Sequence, residues 1–325
     1  MNYAQGKRPK SWTSQSAILV SEDGGNLGMM LREMIRSYNW KLIEQTDSLA
    51  TAFDKIATGS IQMMIVNESE QVPAAWVLKK QLQHKTAMLT PSLFLCTTMN
   101  TGHDTAALDK ILATESVVKP LSPERFLPAF TKVLNKWSVG PLDEIRNIAA
   151  QLAMKNDRTA LTQLARMAQD PAAAAIAGPC LAVFLMENGD LKAAEKVLLG
   201  ALKLSPKNLG IILSLSGFYL KTAMPGLALR ILTEARNFFH NPRVLYTDLI
   251  VTHLMLNQVR ETVPILIDMM KREYMPELAK SYLARVFFTE GMKYEFEEMM
   301  KGQNANFLKF TRAWSRERDD ASLAG

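Results

Sequence analysis

The chain has 325 residues, 48% of them hydrophobic and 22% charged, with a formal net charge of +6 and two cysteines. That length fits two domains of ordinary size, and the balance is that of a globular protein able to bury real cores. The charge does not mark a nucleic-acid partner. Residues 1–140 carry 15 Lys and Arg against 12 Asp and Glu, and the remainder carries 23 against 20, so neither half is a basic domain. The densest basic run, GKRPK at 6–10, lies in a polar start, 1–14, that reads as a flexible tail, as does 315–325. Cys96 and Cys180 sit in apolar contexts, which suits buried reduced thiols and the cytoplasm. No apolar leader and no run of ~18 apolar residues is present, so neither secretion nor membrane spanning is expected.

In chain order, AILVS (17–21) reads as a strand, and NLGMMLREMIRSYNW places Leu27, Met30, Leu31, Met34 and Ile35 on one helical stripe. KLIEQ is a second strand. Asp47 or Ser48 can cap a helix carrying Leu49, Ala52, Phe53 and Ile56. IQMMIVN (61–67) is the third strand, VPAAWVLKKQL the third helix and SLFLCTT the fourth strand. TAALDKILA (105–113) and SVVKP supply a fourth helix and a fifth strand. Ser122 and Pro123 then open a last helix as cap and first residue. Five strands alternating with helices predict a doubly wound parallel sheet covered on both faces, with its functional edge in the loops after the strands' carboxyl ends.

Those loops carry Glu22 and Asp23 after strand one, Asn67 after strand three, Thr97 after strand four and Lys119-Pro120 after strand five. Residues 15–137 thereby resemble the flavodoxin-like receiver domain of bacterial two-component response regulators, most specifically in ILVSED and VVKP. The resemblance implies an acidic pair for Mg²⁺, an aspartate that accepts a phosphoryl group, a Ser/Thr that senses it and a lysine that contacts it. Two positions depart. Asn67 stands at the acceptor, and Ser116 stands where a switching aromatic is usual. Either Cys96 or Thr97 fills the Ser/Thr position. An amide has no anionic oxygen to attack phosphorus, so a pseudo-receiver is expected. Glu22 and Asp23 either pair with Lys119 and cap a helix end or keep a weak Mg²⁺ site.

From about residue 141 strand signals give way to helical periodicity, and small and apolar residues return every 34 positions. Leu181-Ala182, Gly189, Ala194, Ala201 and Pro206 belong to one repeat. Ala194 steps to Ala228, Thr262 and Phe296, Ala201 to Ala235 and Met269, and Leu181 to Leu215, Leu249 and Leu283. Residues 138–314 resemble a tetratricopeptide-repeat solenoid, clearest over 175–242, with 304–314 as a capping helix. Thr262 and Phe296 replace the usual small residue, so the later hairpins are expected to splay or shift phase. By the family's groove positions, the concave wall comprises Val183, Met186, Leu213, Leu220, Val251, Leu254, Arg285 and Phe288. The resemblance also makes 105–136 a candidate homodimer face.

Histidines at 84, 103, 240 and 253 have no metal-ligand spacing on one helix, and no P-loop, GxGxxG after a strand or GxSxG elbow occurs. His103-Asp104 reads better as a helix start than as a dyad. Nineteen methionines at helical spacing read as adaptable core. The expectation is an adaptor without chemistry of its own, binding a protein partner through the groove and the receiver-like face. The alternatives are a response regulator still switched by phosphorylation or another small ligand, and a solenoid sensing a diffusible peptide.

Overall fold

The structure, a computed structural model, describes residues 16–22, 26–58, 60–69, 74–84, 87–96, 114–137, 141–155, 158–239, 243–272 and 274–301. Its first part alternates β1 (Ser16–Val20), α1 (Asn26–Arg36), β2 (Lys41–Thr46), α2 (Leu49–Ala57), β3 (Met63–Asn67), α3 (Ala74–Leu82), β4 (Ser92–Cys96), β5 (Thr114–Val118) and α4 (Pro123–Trp137). The five strands form one parallel sheet in the order β2-β1-β3-β4-β5. β1, β3 and β4 are buried at every position, which is why they read as continuous apolar runs rather than alternating ones. The order reverses between β1 and β3, and the carboxyl ends of these two strands form the switch-point crevice of such sheets.

One face of the sheet is closed by α1 and α4. Leu31, Met34 and Ile35 from the first and Phe126, Phe130 and Val133 from the second pack on Ala17, Leu19, Met63, Ile65, Leu93 and Leu95. Phe130 sits edge-on to Tyr38 and Trp40, at 5.5 and 5.7 Å between ring centroids, and stacks on Phe126 at 5.7 Å. α2 starts where Ser48 accepts the Thr51 amide at 3.2 Å, so Ser48 rather than Asp47 is its cap. α3 is tied to the start of β4 through buried Gln81, whose amide donates to the Thr90 carbonyl at 2.6 Å and accepts from the Ser92 hydroxyl at 3.0 Å. The sequence-expected helix 105–113 lies outside the described residues.

The remainder is helical: α5 (Pro141–Lys155), α6 (Arg158–Met167), α7 (Ala174–Glu187), α8 (Leu191–Leu204), α9 (Leu209–Lys221), α10 (Pro225–Phe238), α11 (Arg243–Met255), α12 (Val263–Lys271), α13 (Pro276–Thr289) and α14 (Lys293–Met300). The chain is thus α/β, then all-α. By packing it forms two units that divide between Val244 and Leu245, so the α/β part and the hairpins through α10 belong to one unit.

The turn inside each of four helix pairs is the same. Gly189, Ala223, Asn257 and Gly291 all have positive φ (79°, 57°, 56° and 68°), and they lie one 34-residue period apart. Each closes the preceding helix by two backbone bonds: Asp190, Met224, Gln258 and Met292 donate to Leu185, Tyr219, His253 and Phe287, while the four turn residues donate to Met186, Leu220, Leu254 and Phe288. This is the paired closure of a left-handed helix terminus. The phase shift expected after 243 does not occur, because this turn keeps its spacing. Thr262 is accommodated buried, its hydroxyl donating to the Val259 carbonyl at 2.6 Å, and Phe296 packs on Phe288 at 5.4 Å. The small residues serve close crossings. Ala194, Ala201, Ala228 and Ala235 are buried, and a Cβ on Gly178 would lie 2.7 Å from that of Ala201.

Ala223 is the one turn residue of the four that is neither Gly nor Asn, and a left-handed conformation costs an L-residue with a Cβ about 1–2 kcal/mol. Ala223→Gly removes that cost and adds only backbone entropy. It is expected to stabilise the α9–α10 hairpin by about 0.5–1 kcal/mol, read as slower amide exchange across 209–238. Faster exchange there would contradict the turn geometry.

Candidate functional site

Asn67 is the last residue of β3, and its side chain is 5% exposed. Its Nδ2 donates to Ser21 Oγ at the end of β1, at 3.0 Å, and its Oδ1 is buried with no hydrogen-bond partner among the described residues. Burial without compensation is expensive for an amide oxygen, so among the described residues the crevice holds one unmatched acceptor. Glu22 follows Ser21 directly and is exposed. Lys119 follows β5 with its backbone N–H on the Cys96 carbonyl at 2.9 Å, and the Lys119–Pro120 bond is cis. Asp23 and Thr97 lie outside the described residues, so the acidic pair and the Ser/Thr position are seen only through Glu22 and Cys96. Among the described residues no three His, Cys, Asp or Glu side chains gather in a metal-holding group.

The residue that sequence reading passed over is Glu68. It is buried beside Asn67, where its carboxylate accepts the Ala74 amide at the start of α3 (3.2 Å) and faces the Arg243 guanidinium at 3.9 Å. Arg243 opens α11 and is itself buried. A cation at a helix N-terminus stands against the helix dipole, so an acid is needed to hold it there. A second contact accompanies this pair. Leu82 and Gln83, at the end of α3, close a cavity of about 80 Å³ against Val183, Met186, Ser214 and Gly217 of α7 and α9. α3 therefore packs on α9.

This contact bears on the expected groove. Val183 and Met186 are half-buried and line the cavity closed by α3. Leu213 is 2% exposed and is core rather than an open lining residue, because α9 is apolar all round and covered on all sides. Leu220 is half-buried and packs on the cluster of Ala194, Leu198, Leu215 and Phe218. In the second unit the other four positions are open: Val251 and Leu254 on α11, and Arg285 and Phe288 on α13. Leu278 and Tyr282 extend the α13 stripe at helical spacing and are also exposed.

Of the candidate homodimer face, 105–113 lies outside the described residues. Within 114–136, Glu115 on β5 is clamped by Lys132 and Lys136 of α4, at 2.6 and 2.5 Å. Burial opposes its charge, but the two lysines overcome that and hold the carboxyl below its ordinary range. A cleft of about 750 Å³ opens where α5, α7 and α9 begin, between Leu142, Ile176 and Pro206, with Lys207 at its edge. A polar one of about 450 Å³ in the second unit is bounded by His253, Gln258, Arg260 and Glu290, the last two an exposed ion pair at 2.8 Å. Among the described residues no helix is long and apolar enough to cross a membrane. Comparison with family models, with curated proteins and with solved structures returned no significant match.

Proposed function

We propose that the chain is a bacterial cytoplasmic signalling adaptor, a receiver-like unit without its acceptor aspartate joined to a tetratricopeptide-type solenoid, which acts by binding other proteins. The observation that carries this reading is the set of exposed apolar side chains on α11 and on α13. Val251, Leu254, Leu278, Tyr282 and Phe288 stay exposed on two helices whose other sides are buried. Apolar side chains at helical spacing, beside the cation of Arg285, suit an amphipathic helix or an extended protein segment.

Phosphorylation-independence rests on Asn67. Its amide nitrogen is a hydrogen-bond donor to Ser21, and its oxygen is neutral, so neither atom is a nucleophile for phosphorus. Incubation with a small-molecule phosphodonor and Mg²⁺ is expected to leave the mass of the α/β peptides unchanged. A stable aspartyl or glutamyl phosphate there would favour the second reading, a switch that takes its phosphoryl group beside Asn67. Asn67→Asp keeps size and shape while restoring an anionic oxygen, and it is expected to incorporate phosphate if Lys119 and the acidic pair still frame the crevice.

A further inference from the structure

We infer that the α/β part is a removable cover for the hairpin wall formed by α7 and α9, seated there by the end of α3 and fastened by the Glu68–Arg243 pair. The occupant of that wall is therefore a segment of the same chain. Leu82 and Gln83 rest against Val183, Met186 and Gly217, and the ion pair sits at the other end of the same seam. The fit is looser than a folded core. A cavity of about 80 Å³ remains, and the Ser214 hydroxyl beside it is buried with no hydrogen-bond partner among the described residues. Contacts of this kind between parts of a chain behave like transient interfaces, which open without unfolding either side.

Gly217 is the lever. A Cβ built there would meet the Gln83 amide at 3.0 Å, and beyond its own stretch of α9 it would meet nothing else within 4 Å. Gly217 is thus spared a side chain for the sake of α3, and a larger residue would wedge the cover while leaving the hairpin packing alone. Release would expose the half of the groove that α3 now fills. The consequence for partner binding rests on the adaptor reading, whereas opening itself is measurable with no partner present.

The test uses the full chain with a probe thiol, Ser214→Cys, and measures its rate of reaction with a maleimide at neutral pH. The native thiols give little background: Cys96 and Cys180 are both buried, and burial pushes Cys180 up to about 12. In the parent the probe should react slowly. Adding Gly217→Leu should accelerate it at least tenfold with helical circular dichroism unchanged. Glu68→Gln, which keeps an acceptor for the Ala74 amide but removes the charge, should act in the same direction. Arg243→Gln combined with Glu68→Gln should add little beyond either alone. Equal rates in all backgrounds with the fold intact would overturn the inference. So would loss of hairpin helicity in either single variant, because the α/β part would then be hairpin core rather than a cover. Failure of partner capture by the second unit leaves these rates unaffected, so the two readings fail separately.

Discussion

Phe130→Ala is expected to destabilise the α/β core by about 3–5 kcal/mol, the range for removing a fully buried aromatic ring. The ring has no exposed surface, and it is shared by Tyr38, Trp40 and Phe126, so no single neighbour can move in to fill the space. Tyr38 has a second tie, its hydroxyl lying 3.0 Å from the Thr131 hydroxyl of α4, which holds the ring near the vacated site. Residual cavity volume sets the position within that range, and a pocket walled by two rings held edge-on collapses poorly. Phe130→Leu keeps most of the volume and should cost under about 1.5 kcal/mol. Because the chain forms two units, a single melting curve does not isolate this effect. Amide exchange should rise across β1, β3 and α4 and stay unchanged across α12 and α13. A uniform rise over the whole chain would show that the two units unfold together.

The α/β part was legible because its three central strands, β1, β3 and β4, are buried at every position and so appear as short apolar runs bounded by turns. The repeat was legible because its turns demand left-handed residues at fixed spacing, and Gly189 and Gly291 advertise this directly. Ala223 and Asn257 hide it, since neither residue announces positive φ as glycine does. The seam between α3 and the hairpins was not legible. Glu68 and Arg243 are far apart in sequence, and each alone reads as an ordinary surface charge. One signal was available and missed. In α9, residues 209–213 and 215–219 are buried, and the run LGIILSLSGFYL has no polar face. A helix apolar all round must be covered all round, which already argued against Leu213 as an open groove residue and for a cover on Gly217. The acidic pair is a different case: Asp23 lies outside the described residues, so the sequence reading of it stands as an expectation.

Leu254→Glu is expected to abolish partner capture while leaving the fold in place. Leu254 is 42% exposed on α11, on the side away from buried Leu245, Tyr246, Asp248 and Leu249, and exposed substitutions usually move stability by under about 0.5 kcal/mol. In a complex the same carboxylate would lose its water against an apolar partner face, a cost that desolvation makes severe. A hot-spot position in an interface contributes about 2 kcal/mol or more, so with Leu254 in that role affinity should fall about thirtyfold or further. Phe288 is a poorer probe, because its ring packs on Phe296 and its loss would disturb α14 as well as the stripe. Leu220→Glu makes the useful contrast. Leu220 belongs to the Leu215–Phe218 cluster of the first unit, so its thermal midpoint should fall while capture through the second unit holds. The measurement pairs the thermal midpoint of each variant with the amount of partner retained from a lysate of its own cells, using the same immobilised chain. Capture lost at a held midpoint for Leu254→Glu places the partner on α11 and α13. Capture held at a held midpoint removes that stripe from the binding site and moves the search to the α4 side of the sheet, where Glu115 is already committed to Lys132 and Lys136.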